Sequence, residues 1–392
     1  MGDFTFAKRM EPITGSAIRE LLKLTAKPGM ISFAGGNPGN FSLPEKEVAE
    51  IIQELLETKG KNMLQYGPTE GYAPLVEELQ KYILEEFGAE VAKDEILPVT
   101  GSSQAMDLIC KAYLNPGDNV IVESPSFIGN LQCLKIYEAN LIPVKSDDKG
   151  IIIEDLERLI KEYNAKMLYT IPTFQNPTGI SMSIDRRKTI AELAAKYNML
   201  VAEDDPYHSL RYSGENLPAI KSFDKNGKVA LLGSFSKVIS PGLRVGFMAG
   251  DAALIKKCTI CKQSADVHTP TLNQAVVAEF LKRDLLKPNV EKACEVYKQQ
   301  MDTMLDGLSQ IKAVVKYTVP AGGLFIFAEI KEGENVEKYF RKAVDRGVAF
   351  VPGSPFHPEG GHENTFRLNF SNSDIDTIKK GMQILKECFD ND

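Results

Sequence analysis

Between residues 96 and 250 the chain repeats one rhythm: a short apolar run, a turn, then an amphipathic stretch. The runs are EILPV (95–99), NVIVE (119–123), NLIPV (140–144), KMLYTI (166–171), MLVAE (199–203), VALLG (229–233) and VGFMAG (245–250). Those from the second to the sixth alternate with helical patterns such as PSFIGNLQCLKIYE and DRRKTIAELAAKYN. Near-continuous apolar strands separated by helices predict a mostly parallel sheet of seven strands covered on both faces, an α/β architecture. The character changes near residue 285. A long helical pattern, NVEKACEVYKQQMDTMLDGLSQI, precedes strand-like VKYTVP, GGLFIFAEI, VAFVPG and TFRLNFS, and a final helix is expected over roughly 374–389. This region reads as a smaller α+β domain. The expected division is therefore an N-terminal arm (1–45) whose helix SAIRELLKLT packs back onto either domain, a large domain (46–285) and a small one (286–392). Two domains also suit a chain longer than a single hydrophobic core sustains.

Composition narrows the function classes. The net charge is −7, from 46 basic and 53 acidic residues, and no strongly basic segment stands out, so nucleic acid is not the expected partner. Apolar runs fall far short of the roughly 20 residues a membrane helix needs, and the opening MGDFTFAKRMEPITGS lacks a signal-peptide core. The expected location is the cytoplasm. Six cysteines are scattered along the chain, and the close pair Cys258 and Cys261 has no second CxxC or nearby HxxxH to complete a zinc site. Free thiols are expected, and no metal site.

Ligands of such sheets collect at the carboxyl ends of the strands. After EILPV comes Gly101-Ser102-Ser103, opening a helix whose free amides and positive dipole end make a phosphate cradle. After NVIVE comes an aromatic, Phe127. After KMLYTI comes PTFQNPTG, with Asn176 at its centre, and after MLVAE come Asp204, Asp205 and Tyr207. After VALLG comes SFSKVISPGLRVG, with Ser234, Lys237 and Arg244. A lysine emerging from a buried strand is poorly solvated, so its pKa falls toward neutrality and its amine becomes a nucleophile. Arginine supplies a planar fork of donors suited to phosphate. Singly, each feature reads equally as a helix cap, a turn or a core aromatic. Together, five strand ends offer phosphate donors, an aryl face, an amide, a carboxylate and an amine. Pyridoxal 5′-phosphate (PLP) needs all of these.

QNPTG (175–179), DDPY (204–207), SFSKVISPGLRVG (234–246) and FRLNFS (366–371) stand in an order and spacing that resembles the class I and II aminotransferases of PLP fold type I. The resemblance covers nearly the whole chain. It implies that Lys237 holds PLP covalently and shuttles a proton, and that Asp204 faces the pyridine nitrogen while Asp205 braces the turn. Asn176 and Tyr207 would donate to the phenolic oxygen, and Phe127 would stack on the ring. Phe127 stands where many relatives have tyrosine or tryptophan, so stacking survives without a phenolic hydrogen bond. The phosphate would meet Gly101, Ser102, Ser103, Ser234 and Arg244. Tyr66 would reach the phosphate of a neighbouring subunit, implying a homodimer with shared active sites. Arg367 would grip the substrate α-carboxylate, with Gly36 and Asn176 nearby.

GSAIRELLKLT leading into ISFAGGNP is similar to the group containing 2-aminoadipate and kynurenine aminotransferases. That resemblance implies that this helix covers the substrate pocket. In that group Arg19 would meet a side-chain carboxylate and Ser16, one helical turn earlier, would face the same pocket; Arg19 reads equally as a surface arginine on an amphipathic helix. The implied activity is ping-pong transfer of an amino group between an L-amino acid and a 2-oxo acid, with glutamate and 2-oxoglutarate as one pair. A β-lyase or decarboxylase on the same scaffold is the alternative. A nicotinamide dehydrogenase is not expected, because no GxGxxG follows the first strand.

Overall fold

Alternate residues of the central strands serve two different apolar layers. Val120 and Val122 face one layer and Ile121 the other; the same alternation separates Met167 and Tyr169 from Leu168, and Leu200 and Ala202 from Val201. A sheet buried on both faces needs apolar residues at every position, which is why these runs lack a polar face. The computed structural model describes residues 4–11, 13 and 29–390. All seven runs form one sheet: β1 (Ile96–Val99), β2 (Asn119–Glu123), β3 (Asn140–Val144), β4 (Met167–Thr170), β5 (Leu200–Asp204), β6 (Val229–Ser234) and β7 (Gly246–Ala249). Their spatial order is β1-β7-β6-β5-β4-β2-β3. β7 is antiparallel to both neighbours, and the other adjacent pairs are parallel.

Two helices on this sheet matter for the site. α1 (Ser102–Tyr113) follows β1, and α2 (Ile128–Ile136) follows β2. The later part of the chain opens with α3 (Leu286–Ser309) and closes with α4 (Ile375–Asp390), which pack on each other. Between them lies an antiparallel sheet of β8 (Val314–Tyr317), β9 (Phe325–Ile330), β10 (Val351–Pro352) and β11 (Thr365–Asn369), in the order β8-β9-β11-β10.

The run VAFVPG, expected as one strand, is divided. Val348–Ala349 pairs in parallel with Ile31–Ser32, while Val351–Pro352 pairs with β11. Phe350 between them is fully buried against Phe340 and Phe366, and that anchor turns the chain from one partner to the other. The pairing ties residues 31–37 to the four-stranded sheet: Asn369 N donates to Phe33 O at 2.8 Å and Ser371 Oγ to Asn37 O at 2.7 Å. Arg19, Ser16 and the helix expected at SAIRELLKLT lie outside the described residues. Among the described residues no helix is long and apolar enough to cross a membrane.

Candidate active site

Lys237 stands one turn past β6, half-buried, and its Nζ donates to Gly36 O at 2.7 Å. Burial, then the charges of Arg244 and Arg367, lowers its pKa to about 8. Losing water penalises the ammonium and not the neutral amine, and two nearby guanidinium groups act in the same direction. Arg244 lies just before β7 in the left-handed region (φ +52°), with Nη2 donating to Thr100 O at 3.2 Å and Nη1 to Ser236 Oγ at 3.3 Å. That placement depends on Gly101. A Cβ there would lie 2.5 Å from Arg244 Nη2, and the φ of +79° is one that glycine alone adopts freely. No side chain caps α1, so the amides at Ser102 and Ser103 keep their capacity for an acceptor beside the Arg244 guanidinium. Ser234 joins this corner through Ser236, its Oγ donating to Ser236 Oγ at 3.0 Å.

Asp204 ends β5 and is 2% exposed. Its Oδ2 accepts from Tyr169 OH at 3.0 Å and from Asn130 Nδ2 at 3.1 Å, while Oδ1 is buried with no partner among the described residues. Burial, with the neighbouring Asp205 charge, raises its pKa to about 7 against the opposing hydrogen bonds from Tyr169 and Asn130. Asp205 points elsewhere: its Oδ2 accepts from Thr173 Oγ1 at 2.7 Å and meets His208 Nδ1 at 3.0 Å. A strand end followed by two consecutive carboxylates must send them in opposite directions, because successive side chains alternate.

On the other side, Asn176 Nδ2 donates to Tyr207 OH at 3.4 Å, and Asn176 Oδ1 accepts from Arg367 Nη1 at 2.7 Å. Arg367, from β11, also donates Nη2 to Ala34 O at 2.7 Å and lies 4.2 Å over the Phe325 ring and 5.0 Å from Phe356. It is 4% exposed, its Nε is buried without a partner among the described residues, and burial lowers its pKa to about 10. Gly36 passes close to Phe325, where a Cβ would sit 3.1 Å from the ring. Phe127 precedes α2, and Gly129 leaves room for its ring, which a Cβ there would meet at 2.6 Å. Tyr66 differs from all of these: it is 82% exposed, with its ring edge-on to His268.

Three contributors were not singled out by the sequence. Tyr169 and Asn130 hold the Asp204 carboxylate, and Ser236 links Ser234 to Arg244. Tyr169 carried a faint signal, an aromatic hydroxyl next to Thr170 in a strand that is buried throughout. Asn130 carried none, since its role depends on how α2 is rotated.

The family model for aminotransferase class I and II matches residues 28–385. The aromatic-amino-acid aminotransferase 1 of Thermococcus litoralis is 39% identical over 97% of this chain and 93% of its own length. The 2-aminoadipate transaminase of Thermus thermophilus is 40% identical over 97% of this chain and 95% of its own. Among solved structures, the kynurenine aminotransferase of Pyrococcus horikoshii, crystallised with PMP, superposes with a TM-score of 0.94 at 40% identity, covering 98% of this chain and 96% of that one. A match along nearly the whole length, in sequence and in fold, places the chain among the class I and II aminotransferases: it is a PLP-dependent enzyme that transfers amino groups between amino acids and 2-oxo acids.

Proposed function

We propose that this site exchanges the amino group of glutamate with the 2-oxo acid of a second amino acid, by a ping-pong route centred on Lys237. The carrying observation is a lowered-pKa amine just past one strand and, at the end of the adjacent parallel strand, a buried carboxylate with one oxygen that has no partner among the described residues. The residues present fit PLP. Asp204 Oδ1 is a buried acceptor awaiting a proton donor, as a pyridinium nitrogen is, and the α1 amides with Ser102, Ser103, Ser234 and Arg244 suit a phosphate. Phe127 offers the ring face, and Asn176 with Tyr207 offers donors for the phenolic oxygen. When bound, PLP supplies an aldehyde that takes up the amino group and a ring that accepts electrons as the Cα–H bond breaks.

Each residue then has a physical task. Lys237 Nζ, with a pKa of about 8, exists partly as free amine near neutral pH and can take a proton from the substrate Cα and return it. Asp204 stays anionic when opposite a cation, because that pairing offsets the burial that raises its pKa. Arg367 can exchange its bonds to Asn176 and Ala34 for a substrate carboxylate while keeping its stacking on Phe325.

The glutamate assignment is supported by the relative named for 2-aminoadipate, whose side chain also ends in a carboxylate. Arg19 and Ser16 remain proposed contacts to it. The domain division at about residues 45 and 285, a homodimer in which the exposed Tyr66 reaches the partner's phosphate site, and a cytoplasmic location in keeping with six free cysteines complete the reading. A panel of acidic, aromatic and branched-chain donors against 2-oxoglutarate tests it, with 2-oxo acid and glutamate both measured. Product from any donor without glutamate formation would overturn the proposed pair.

A further inference from the structure

Two of the chain's four histidines fall in one loop, HPEGGHEN (357–364), that leads into β11. We propose that His357, Glu359 and His362, joined by Ser124, form a binding site for a divalent transition-metal ion such as zinc. His357 Nδ1 lies 3.9 Å from Glu359 Oε1, and His362 Nε2 lies 3.6 Å from the same oxygen. Ser124 Oγ sits between them, 2.9 Å from His357 Nδ1 and 2.6 Å from Glu359 Oε1. Tetrahedral zinc with nitrogen and oxygen ligands at about 2.0–2.1 Å holds its donors about 3.3 Å apart. The two histidine–glutamate separations therefore need to contract by about 0.3–0.6 Å, and the three donor atoms, which all lie within 4.8 Å of one another, must draw together around the ion. Two imidazoles with one carboxylate are a donor set of intermediate softness, suited to zinc and its neighbours rather than to calcium or magnesium.

The backbone builds the cluster. Gly360, Gly361 and His362 all have positive φ (+77°, +76° and +57°), which folds the loop back and stacks the His362 ring on His357 with centroids 3.8 Å apart. For histidine that conformation is uncommon. His357 is held in place, 7% exposed, and its Nε2 is buried without a partner among the described residues. His362 is about half exposed, so its ring has room to turn until both lone pairs converge. Both rings and Ser124 line a cleft of about 1080 Å³ through which an ion can enter.

The site spans two parts of the fold. Ser124 follows β2 and belongs to the loop that carries Phe127, whereas the other three donors follow β10. Ser126 N already donates to Phe356 O at 2.8 Å, and an ion here would add a second tie across the same seam. Zinc should therefore stiffen the link between the Phe127 loop and the four-stranded sheet.

PLP-loaded enzyme, stripped of metal with a chelator, is titrated with zinc against a chromophoric competitor while melting is followed in parallel. The wild type should take up one equivalent per chain and melt higher with zinc. H362A and E359Q, both at exposed positions, should each bind zinc about tenfold more weakly or worse, lose the melting shift, and keep their cofactor absorbance. No bound equivalent in the wild type, or equal affinity in the wild type and both variants, would overturn the site.

Discussion

Replacing Tyr169 with phenylalanine removes one oxygen from a fully buried ring and leaves the packing of β4 intact. The lost hydroxyl is the middle of a short chain: Asn130 Nδ2 donates to Tyr169 OH at 2.9 Å, and Tyr169 OH donates to Asp204 Oδ2 at 3.0 Å. A hydrogen bond to a charged group contributes about 1.5–3 kcal/mol. Asn130 also reaches Asp204 directly, and with the hydroxyl gone that amide can give its full donor capacity to the carboxylate. The compensation leaves a net loss of roughly 1.4 kcal/mol, close to one pKa unit. The sign is fixed: the bond favours the anion, so its removal raises the Asp204 pKa further above the value of about 7 set by burial. Fewer molecules then carry the anion at neutral pH: a rise of about one unit from about 7 cuts the anionic fraction about fivefold, so PLP should bind about fivefold more weakly at pH 7. The acid limb of a cofactor-binding profile, read from the visible absorbance between pH 6 and 9, should move up by about one unit. Melting of the PLP-free protein would separate this from simple destabilisation. An unshifted acid limb with wild-type affinity would refute the idea that Tyr169 keeps this carboxylate charged.

Three further outcomes follow from the same geometry. R367K leaves a charge without the fork and should lower kcat/KM about 30-fold or more through KM, equivalent to about 2 kcal/mol, with melting little changed; steady-state rates with glutamate check this. With Lys237 at about pKa 8 in the free site, the amine is protonated below that value and free above it, so proton abstraction should speed up as pH rises toward 8 and then level off; a solvent-exchange assay of the substrate α-proton reads this directly, and K237A should abolish it. G101A forces a Cβ to within 2.5 Å of Arg244 Nη2 at a positive φ, so it should cost at least about 1 kcal/mol in stability and weaken inorganic phosphate competition with PLP.

Most of the sheet was legible because burial on both faces leaves no polar position to obscure a strand, and the strand ends then announced the chemistry. Asp204 could be found that way because it follows an apolar run directly, Lys237 and Asn176 because they lie in the loops that leave two others, and Arg244 because it immediately precedes the last run. What the chain did not disclose depends on rotation and return. Asn130 matters because α2 turns one face toward β5, and a nine-residue helix of near-uniform hydrophobicity gives no hint of which face that is. The loop from His357 to His362 drew no reading from the sequence, because what brings its two histidines together is three positive φ values. VAFVPG reads as one strand because nothing local says that Ile31 will claim half of it.

The reversed direction of β7 has a consequence for how few residues the site consumes. Lys237 leaves the sheet at its ligand-facing rim, and a parallel next strand would oblige the chain to travel to the opposite rim first, through a crossover of a dozen residues or more. Entering β7 from the near rim instead lets Arg244 arrive beside Gly101 only seven positions after the lysine. Amine and anion-binding guanidinium are thereby carried by one short hairpin-like excursion wedged between two strands, so the spacing between them is set by the sheet itself and not by the slack of a long connection.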